Sequence, residues 1–300
     1  MREPGVHARR LRRDGRNRAG GVVNGTAPPP AGAGRISVVL HRVPLEPVPT
    51  HAEALSLTRN DPWVRWALPS DPPREMWRTA VSFVVMRRGR RRRNLVVIPL
   101  PGAAEPEAAV EETLALIRAG CPLEEMAGWG LTVPQPYLGA LERQFPIGAA
   151  GDWEWMWTQE APAPQPGESE LIGLDDSADA PEITDLSQAH SPTAEGEPGA
   201  GVSEVWLGVR DGSGVLIAAG AMQRLPSGVP YLAGIVVHAD HRGKGWGTAV
   251  SAGLTRIGLA DSDVCTLSMY SDNPAARRTY ERLGYRTAWA WASRTLQVSG

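Results

Sequence analysis

Between Ile235 and Gly247 the chain reads IVVHADHRGKGWG, an apolar run, a polar turn, and glycines at the alternate positions 243, 245 and 247. Residues of these types in this order can hold a phosphate. A strand that feeds a glycine-rich turn and a helix N-terminus leaves several backbone N–H groups without intrahelical partners, at the positive end of the helix dipole. Glycine lets the backbone come close to a pyrophosphate, and Arg242 and Lys244 add positive charge. The R-x-x-G-x-G spacing is not that of the P-loop, since no Gly-Lys-Ser/Thr follows, nor the dinucleotide-binding G-x-G-x-x-G. Downstream, TLSMYSDNPAARRTYERLGY places Tyr280 seven residues after Asn273, so both project from nearly the same face of one helix.

The two motifs in this order resemble the GNAT superfamily of acyl-CoA-dependent N-acetyltransferases, over roughly the last 130 residues, a domain-sized length. The resemblance implies an α/β (α+β) fold, the GNAT fold, with a central mixed, twisted sheet flanked by helices. It implies acetyl-CoA as cosubstrate, with its pyrophosphate in the turn formed by Arg242, Gly243, Lys244, Gly245, Trp246, Gly247 and Thr248. In the family's pattern, backbone groups of Ile235, Val236 and Val237 would bind the pantetheine arm and polarise the thioester carbonyl. Asn273 matches the residue that contacts pantetheine, and Tyr280 the one that protonates the departing thiolate. A phenol with a pKa of about 10 suits a thiolate of about 8.5 held beside it. A helix cap and a packed aromatic are the plainer readings of these two side chains. Where histone-acetylating members carry a fourth-strand Glu this chain has Tyr231, and where ribosomal-protein-acetylating members carry a fifth-strand Glu it has Ser268. His238, Asp240 and His190 are in reach by sequence, and no general base is assigned.

Three hundred residues exceed the motif-bearing unit and suggest a second domain. A hydrophobic share of 42%, a charged share of 21% and a net charge of −2 argue against a generally nucleic-acid-coating or membrane-surface protein. Cys121 and Cys265 lie far apart and make no disulfide framework. No long apolar span or secretory leader is visible, so a reducing cytoplasm is expected. The six histidines and two cysteines do not fall at ligand spacings, and no metal is expected. The expected partner is a small-molecule or peptide amine; membrane and nucleic acid are not expected, and a homodimer is left open.

Residues 1–34 hold seven arginines and no apolar periodicity, and should be a disordered basic tail. Residues 35–158 read as a first lobe. RISVVL, AVSFVVM and NLVVIPL are strand-like, the arginine-rich Arg87 to Arg93 segment reads as a solvated hairpin tip, and Pro106 to Ala119 as a helix. A weak repeat relates the halves: Val96-Val97-Ile98 matches Ile235-Val236-Val237 and Glu142-Arg143 matches Glu281-Arg282, both at a shift of 139 (235 minus 96, 281 minus 142). At that shift Glu105 and Glu107 occupy the cradle positions, where they would repel a pyrophosphate, and Leu141 and Pro134 stand for Tyr280 and Asn273. The first lobe is therefore expected to be a degenerate GNAT-like copy, as in tandem members such as the glycine N-acyltransferases. Each copy ends in alternate tryptophans, Trp153, Trp155 and Trp157 in one and Trp289 and Trp291 in the other, which core packing explains. Residues 159–167 form a Pro-rich linker and 168–300 the N-acetyltransferase domain. Within that domain the loop Ser191 to Gly201, with Glu195 and Glu197, reads as solvated and mobile, and Asp179 as the N-cap of a helix Ala180 to His190. The expected activity is acetyl transfer to a primary amine by direct attack. The alternatives are longer acyl-CoA donors, a catalytically silent acyl-CoA-binding module, or a nucleic-acid-associated protein led by its arginine runs.

Overall fold

The longest apolar runs become the central strands of one sheet. A computed structural model describes residues 40, 42–70, 75–88 and 93–297; the expected basic tail, most of RISVVL and residues 89–92 of the arginine run lie outside the described residues. The first half comprises β1 (Glu46–Pro47), α1 (His51–Leu57), α2 (Pro62–Ala67), β2 (Met76–Arg78), β3 (Ser82–Arg88), β4 (Arg93–Pro99), α3 (Pro106–Gly120), β5 (Gly130–Pro134), α4 (Leu138–Gln144) and β6 (Ile147–Thr158). The second comprises β7 (Ile172–Leu174), α5 (Ala180–His190), β8 (Ser203–Arg210), β9 (Leu216–Arg224), β10 (Pro230–Val237), α6 (Trp246–Leu259), β11 (Cys265–Tyr270), α7 (Pro274–Arg282) and β12 (Arg286–Leu296). These elements belong to one compact unit, Ser37–Gly300.

The strands run in the order β1-β2-β3-β4-β5-β12-β6-β11-β10-β9-β8-β7. The series strand, strand, helix, strand, helix, strand occurs twice, as β3-β4-α3-β5-α4-β6 and as β9-β10-α6-β11-α7-β12. In each series the second and third strands are parallel across a helix, β4 with β5 and β10 with β11. The final strands then cross over: β6 pairs with β11 of the second series, and β12 with β5 of the first, while β6 and β12 pair with each other. Each half thus covers the open strand edge of the other, which would otherwise present unpaired N–H and C=O groups.

That exchange decides where the tryptophans go. Trp289 sits opposite Trp155 and Trp291 opposite Trp153, so both alternating sets share one sheet face. They pack there with Trp63, Phe83, Val85, Val96 and Ile98, and the Trp63 and Trp291 rings stand 5.0 Å apart. A second core under α6 gathers Met156, Val250, Leu254, Leu267, Tyr280 and Tyr285, and a third under α5 holds Ile183, Leu186, Trp206 and Val236.

Some local devices differ from expectation. Helices α1 and α2 carry too little periodicity to be read from sequence; each rests on a cap, Thr50 Oγ1 accepting from Glu53 N–H (3.1 Å), and Asp61 Oδ1 from the N–H groups of Trp63 (2.9 Å) and Val64 (3.0 Å). Asp179 stands at the N-cap of α5 without capping it, because its carboxylate accepts from Asp175 N–H (2.7 Å) and pairs with Arg210 (3.1 Å). The Pro-rich segment lies along α6: Arg256 donates to Pro162 O at 3.2 Å, and an added Cβ on Gly167 would come within 2.7 Å of the Trp246 indole. No helix among the described residues is long and apolar enough to cross a membrane.

Candidate active site

The site begins where two parallel strands part. β10 and β11 pair only at Tyr231 with Thr266 and Leu232 with Leu267; beyond these residues the strands separate. On its other side β10 loses register with β9 between Ala233 and Val236, where Gly234 takes φ +63. Such an irregularity bends a strand and re-aims its backbone groups. At the end of β10 the turn Ala239–His241 leads into Gly243 and Gly245, with φ +75 and +88, a region that L side chains rarely enter. Their α-carbons face open space, since a Cβ at either would meet no protein atom within 4 Å. Gly247 needs no positive φ, and its Cβ would make only an ordinary 3.4 Å contact with Val237. The first helical hydrogen bond of α6 runs from Ala249 N–H to Gly245 O (2.9 Å), and its first turn has no acidic residue. The N–H groups of Trp246, Gly247 and Thr248 therefore have no intrahelical partner.

A cavity of about 1240 Å³ joins this turn to the cleft between the strands. The strand residues Ile235, Val236 and Val237, the turn residues from Arg242 to Thr248 other than Lys244, and Asn273 and Tyr280 all line it, whereas Lys244, His238 and Asp240 do not. Arg242 lines it but is not a mobile charge: Nη2 donates to His190 O (2.5 Å) and Nε to Val237 O (3.4 Å), tying the end of α5 to the turn. Val236 turns its side chain into the core beneath α5. Asn273 caps α7, its Oδ1 accepting from Ala276 N–H at 3.0 Å, which leaves its amide NH2 to face the cavity it lines. Tyr280 is buried against Tyr285, with ring centroids 5.8 Å apart. Burial first, and the neighbouring Tyr231 phenol next, push its pKa well above the usual phenol range, and the adjoining Ser251 only partly offsets this. Tyr280 therefore keeps its proton through the neutral range. Trp246 Nε1, on a residue that lines the cavity, is buried without a hydrogen-bond partner. Leaving such a group unpaired costs about 1–3 kcal/mol.

The profile of the acetyltransferase (GNAT) family matches residues 175–285. This stretch is a GNAT domain. Among solved structures, a GCN5-related N-acetyltransferase from Kribbella flavida is 15% identical, with a TM-score of 0.50 over 84% of this chain and 97% of that one, a likeness of fold. A GNAT-family protein from Novosphingobium aromaticivorans is 22% identical (TM-score 0.47, 72% of this chain and 92% of that one). A tandem GNAT protein of clavulanic acid biosynthesis is 14% identical (TM-score 0.42, 86% and 100%). No curated protein matches the sequence at a significant level.

The rest of the cavity is built on Tyr231 and Ser268 of the GNAT domain together with Arg87, Trp153 and Trp155 from the first half of the chain. Arg87 corrects the reading of its arginine run as a solvated tip. It continues the alternation of the buried Phe83 and Val85 along β3, so its side chain turns to the same face, where its guanidinium lies 5.5 Å from the Trp63 ring centroid. That alternation was visible in the sequence and was masked by the arginines that follow. Glu195 is exposed, as the reading of its loop as solvated expects, and it lines the cavity. Gly196 is buried against Trp206 and Gly234, and its carbonyl accepts from Gln223 Nε2 at 2.9 Å, which holds Glu195 at the cavity.

The histidines serve the turn. His190 Nδ1 accepts from Ala239 N–H (3.3 Å) and His238 Nδ1 from Asp240 N–H (3.2 Å), with the two rings 4.0 Å apart. Burial, then His238 and Arg242, lower the His190 pKa. In the first half, Glu107 in the first turn of α3 is paired with Arg143 at 2.9 Å. No group of three His, Cys, Asp or Glu side chains placed to hold a metal ion occurs among the described residues.

Proposed function

We propose that the GNAT domain transfers an acetyl group from acetyl-CoA to a primary amine of a small molecule or peptide by direct attack, forming an amide and releasing the free thiol and a proton. The observation that carries this reading is the continuity of three features in one cavity: the parting of β10 from β11, the glycine turn at the start of α6, and the buried, protonated Tyr280. Bound acetyl-CoA would supply an activated acyl thioester. The N–H groups of Trp246, Gly247 and Thr248, with the α6 dipole, hold the pyrophosphate, and Gly243 and Gly245 shape the turn around it. Backbone groups of Ile235, Val236 and Val237, freed by the strand separation, bind the pantetheine arm and polarise the carbonyl without reorganising as charge develops. Asn273 donates its amide to the pantetheine, and Tyr280 gives its proton to the departing sulfur.

The first half, residues 35–158, is on this reading a degenerate GNAT-like lobe joined through linker 159–167 to the domain 168–300. Its acidic helix start, with Glu105 and Glu107, does not suit a phosphate. Its contribution is to supply β6 as the strand beside β11 and Arg87 to the cavity.

The test is release of free thiol from acetyl-CoA across amino acids, polyamines, aminoglycosides and peptide N-termini, with Tyr280→Phe alongside and acetyl-CoA binding measured by calorimetry. Release that requires one amine class and drops in the variant supports the reading. Absence of acetyl-CoA binding refutes it, and binding without release to any amine leaves a silent acyl-CoA-binding module in its place.

A further inference from the structure

Away from the glycine turn the cavity is lined by two opposite charges, the half-buried Arg87 and the exposed Glu195, together with the Tyr231 phenol. Val237 lies six positions along β10 from Tyr231, roughly 20 Å of extended strand, so a pyrophosphate seated at the turn does not reach Arg87. No ion pair joins Arg87 to an Asp or Glu among the described residues; its guanidinium lies 5.5 Å from the Trp63 ring centroid and interacts with the Tyr231 phenol. Burial lowers the Arg87 pKa, and only Tyr231 works against that shift. Glu195 acts on the same phenol. The Tyr231 pKa is raised by burial, eased by Ser268, raised further by Glu195 and lowered by Arg87. Glu195 also raises Tyr270, after burial, at the cavity mouth. A half-buried guanidinium with no carboxylate partner among the described residues is left poorly compensated unless a ligand supplies the anion, and its planar fork matches a carboxylate.

We propose that the acceptor is a zwitterionic amino acid, its carboxylate held by Arg87 and its ammonium group facing Glu195 across Tyr231, with Trp153 and Trp155 as the wall beside it. This rests on the acetyl-transfer reading above and names the substrate class for it. Glu195 takes a proton from the ammonium group, and the freed lone pair forms the C–N bond to the acetyl carbon as the C–S bond breaks. Tyr280 gives its proton to the sulfur. The second proton lost by the nitrogen restores Tyr280, and the proton on Glu195 passes to solvent, so one proton is released per amide formed.

The experiment compares amino acids with the same amines lacking the carboxylate, phenylalanine with phenethylamine and lysine with cadaverine, by kcat/KM for thiol release on the wild-type protein. A charge-assisted carboxylate contact predicts that removing it lowers kcat/KM roughly 10- to 150-fold. Arg87→Gln should abolish that discrimination and Arg87→Lys restore part of it, with acetyl-CoA affinity unchanged in both. Wild-type protein that uses phenethylamine and cadaverine as well as the amino acids overturns the inference and leaves acetyl transfer standing. Calorimetric titration of phenylalanine and phenethylamine in the presence of desulfo-coenzyme A reads the same site without turnover. If acetyl-CoA itself does not bind, the transfer reading fails. Titration of the two amines alone then decides the inference: binding that needs the carboxylate and is lost in Arg87→Gln supports the site, and binding indifferent to both overturns it.

Discussion

Replacing Gly234 by alanine should damage the protein for two separable reasons. Gly234 has φ +63, and an added Cβ would stand 2.6 Å from Gly196 Cα and 3.1 Å from its N. Both of those neighbours are backbone, so no side-chain rotation relieves the overlap. The left-handed conformation costs a non-glycine residue about 1–2 kcal/mol, and forced overpacking adds about 1–3 kcal/mol. Gly228, in the turn before β10, isolates the first effect: its φ is +83 and a Cβ there would meet nothing within 4 Å. Gly234→Ala is therefore expected to lose about 2–5 kcal/mol and Gly228→Ala about 1–2 kcal/mol in urea unfolding. Because Gly196 rests on Gly234, the overlap also displaces Glu195, so the KM for the acceptor should rise more than that for acetyl-CoA. Equal losses in the two variants, or a Gly234→Ala protein within about 0.5 kcal/mol of wild type, would refute the account of this loop.

Tyr280→Phe removes a proton donor but only an adjoining Ser251 contact, so kcat should fall on the order of 100-fold while the unfolding midpoint barely moves; a kcat near wild type would exclude the phenol as the acid. The Tyr280 proton is retained far above neutrality, so kcat should show no loss between pH 7 and pH 9 that disappears in Tyr280→Phe, and a profile with such a limb contradicts the assignment. Cys121 and Cys265 are both buried, and burial pushes each thiol up to about 11. Native protein at pH 8 should therefore resist thiol reagents and titrate two thiols only when unfolded, whereas rapid native labelling would place either cysteine elsewhere. Glu154 is buried and pairs with Arg277, while Thr287 Oγ1 donates to its other oxygen at 2.8 Å. Arg277→Met should destabilise by about 2 kcal/mol, less than the loss from a fully buried pair because the Arg277 side chain is 36% exposed. Unchanged stability would show that the carboxylate finds water or another partner.

The geometry of the glycine turn and of the capped helix that carries Asn273 and Tyr280 was legible because each is a local event. A positive φ at Gly243 and Gly245, a helix start at Trp246, and a capped helix carrying Tyr280 on the face of Asn273 all follow from residues within a few positions of one another. The repeat in the sequence likewise survives as a repeated order of strands and helices. Arg242 shows the limit of local reading. Its charge was visible, but the two carbonyls that hold it belong to His190 and Val237.

Sequence alone therefore determined the GNAT domain and the glycine turn at the start of α6, since period, caps and glycine conformations are short-range properties. Tertiary structure decided what stands opposite that turn. The exchange of β6 and β12 puts first-half tryptophans beside the second-half strands. The meeting of Gly196 with Gly234 brings Glu195 to the cavity, and the face of β3 brings in Arg87 from 144 positions before Tyr231 (231 minus 87). Strand pairing and close backbone approach depend on which segments meet in space, and no spacing along the chain encodes that directly.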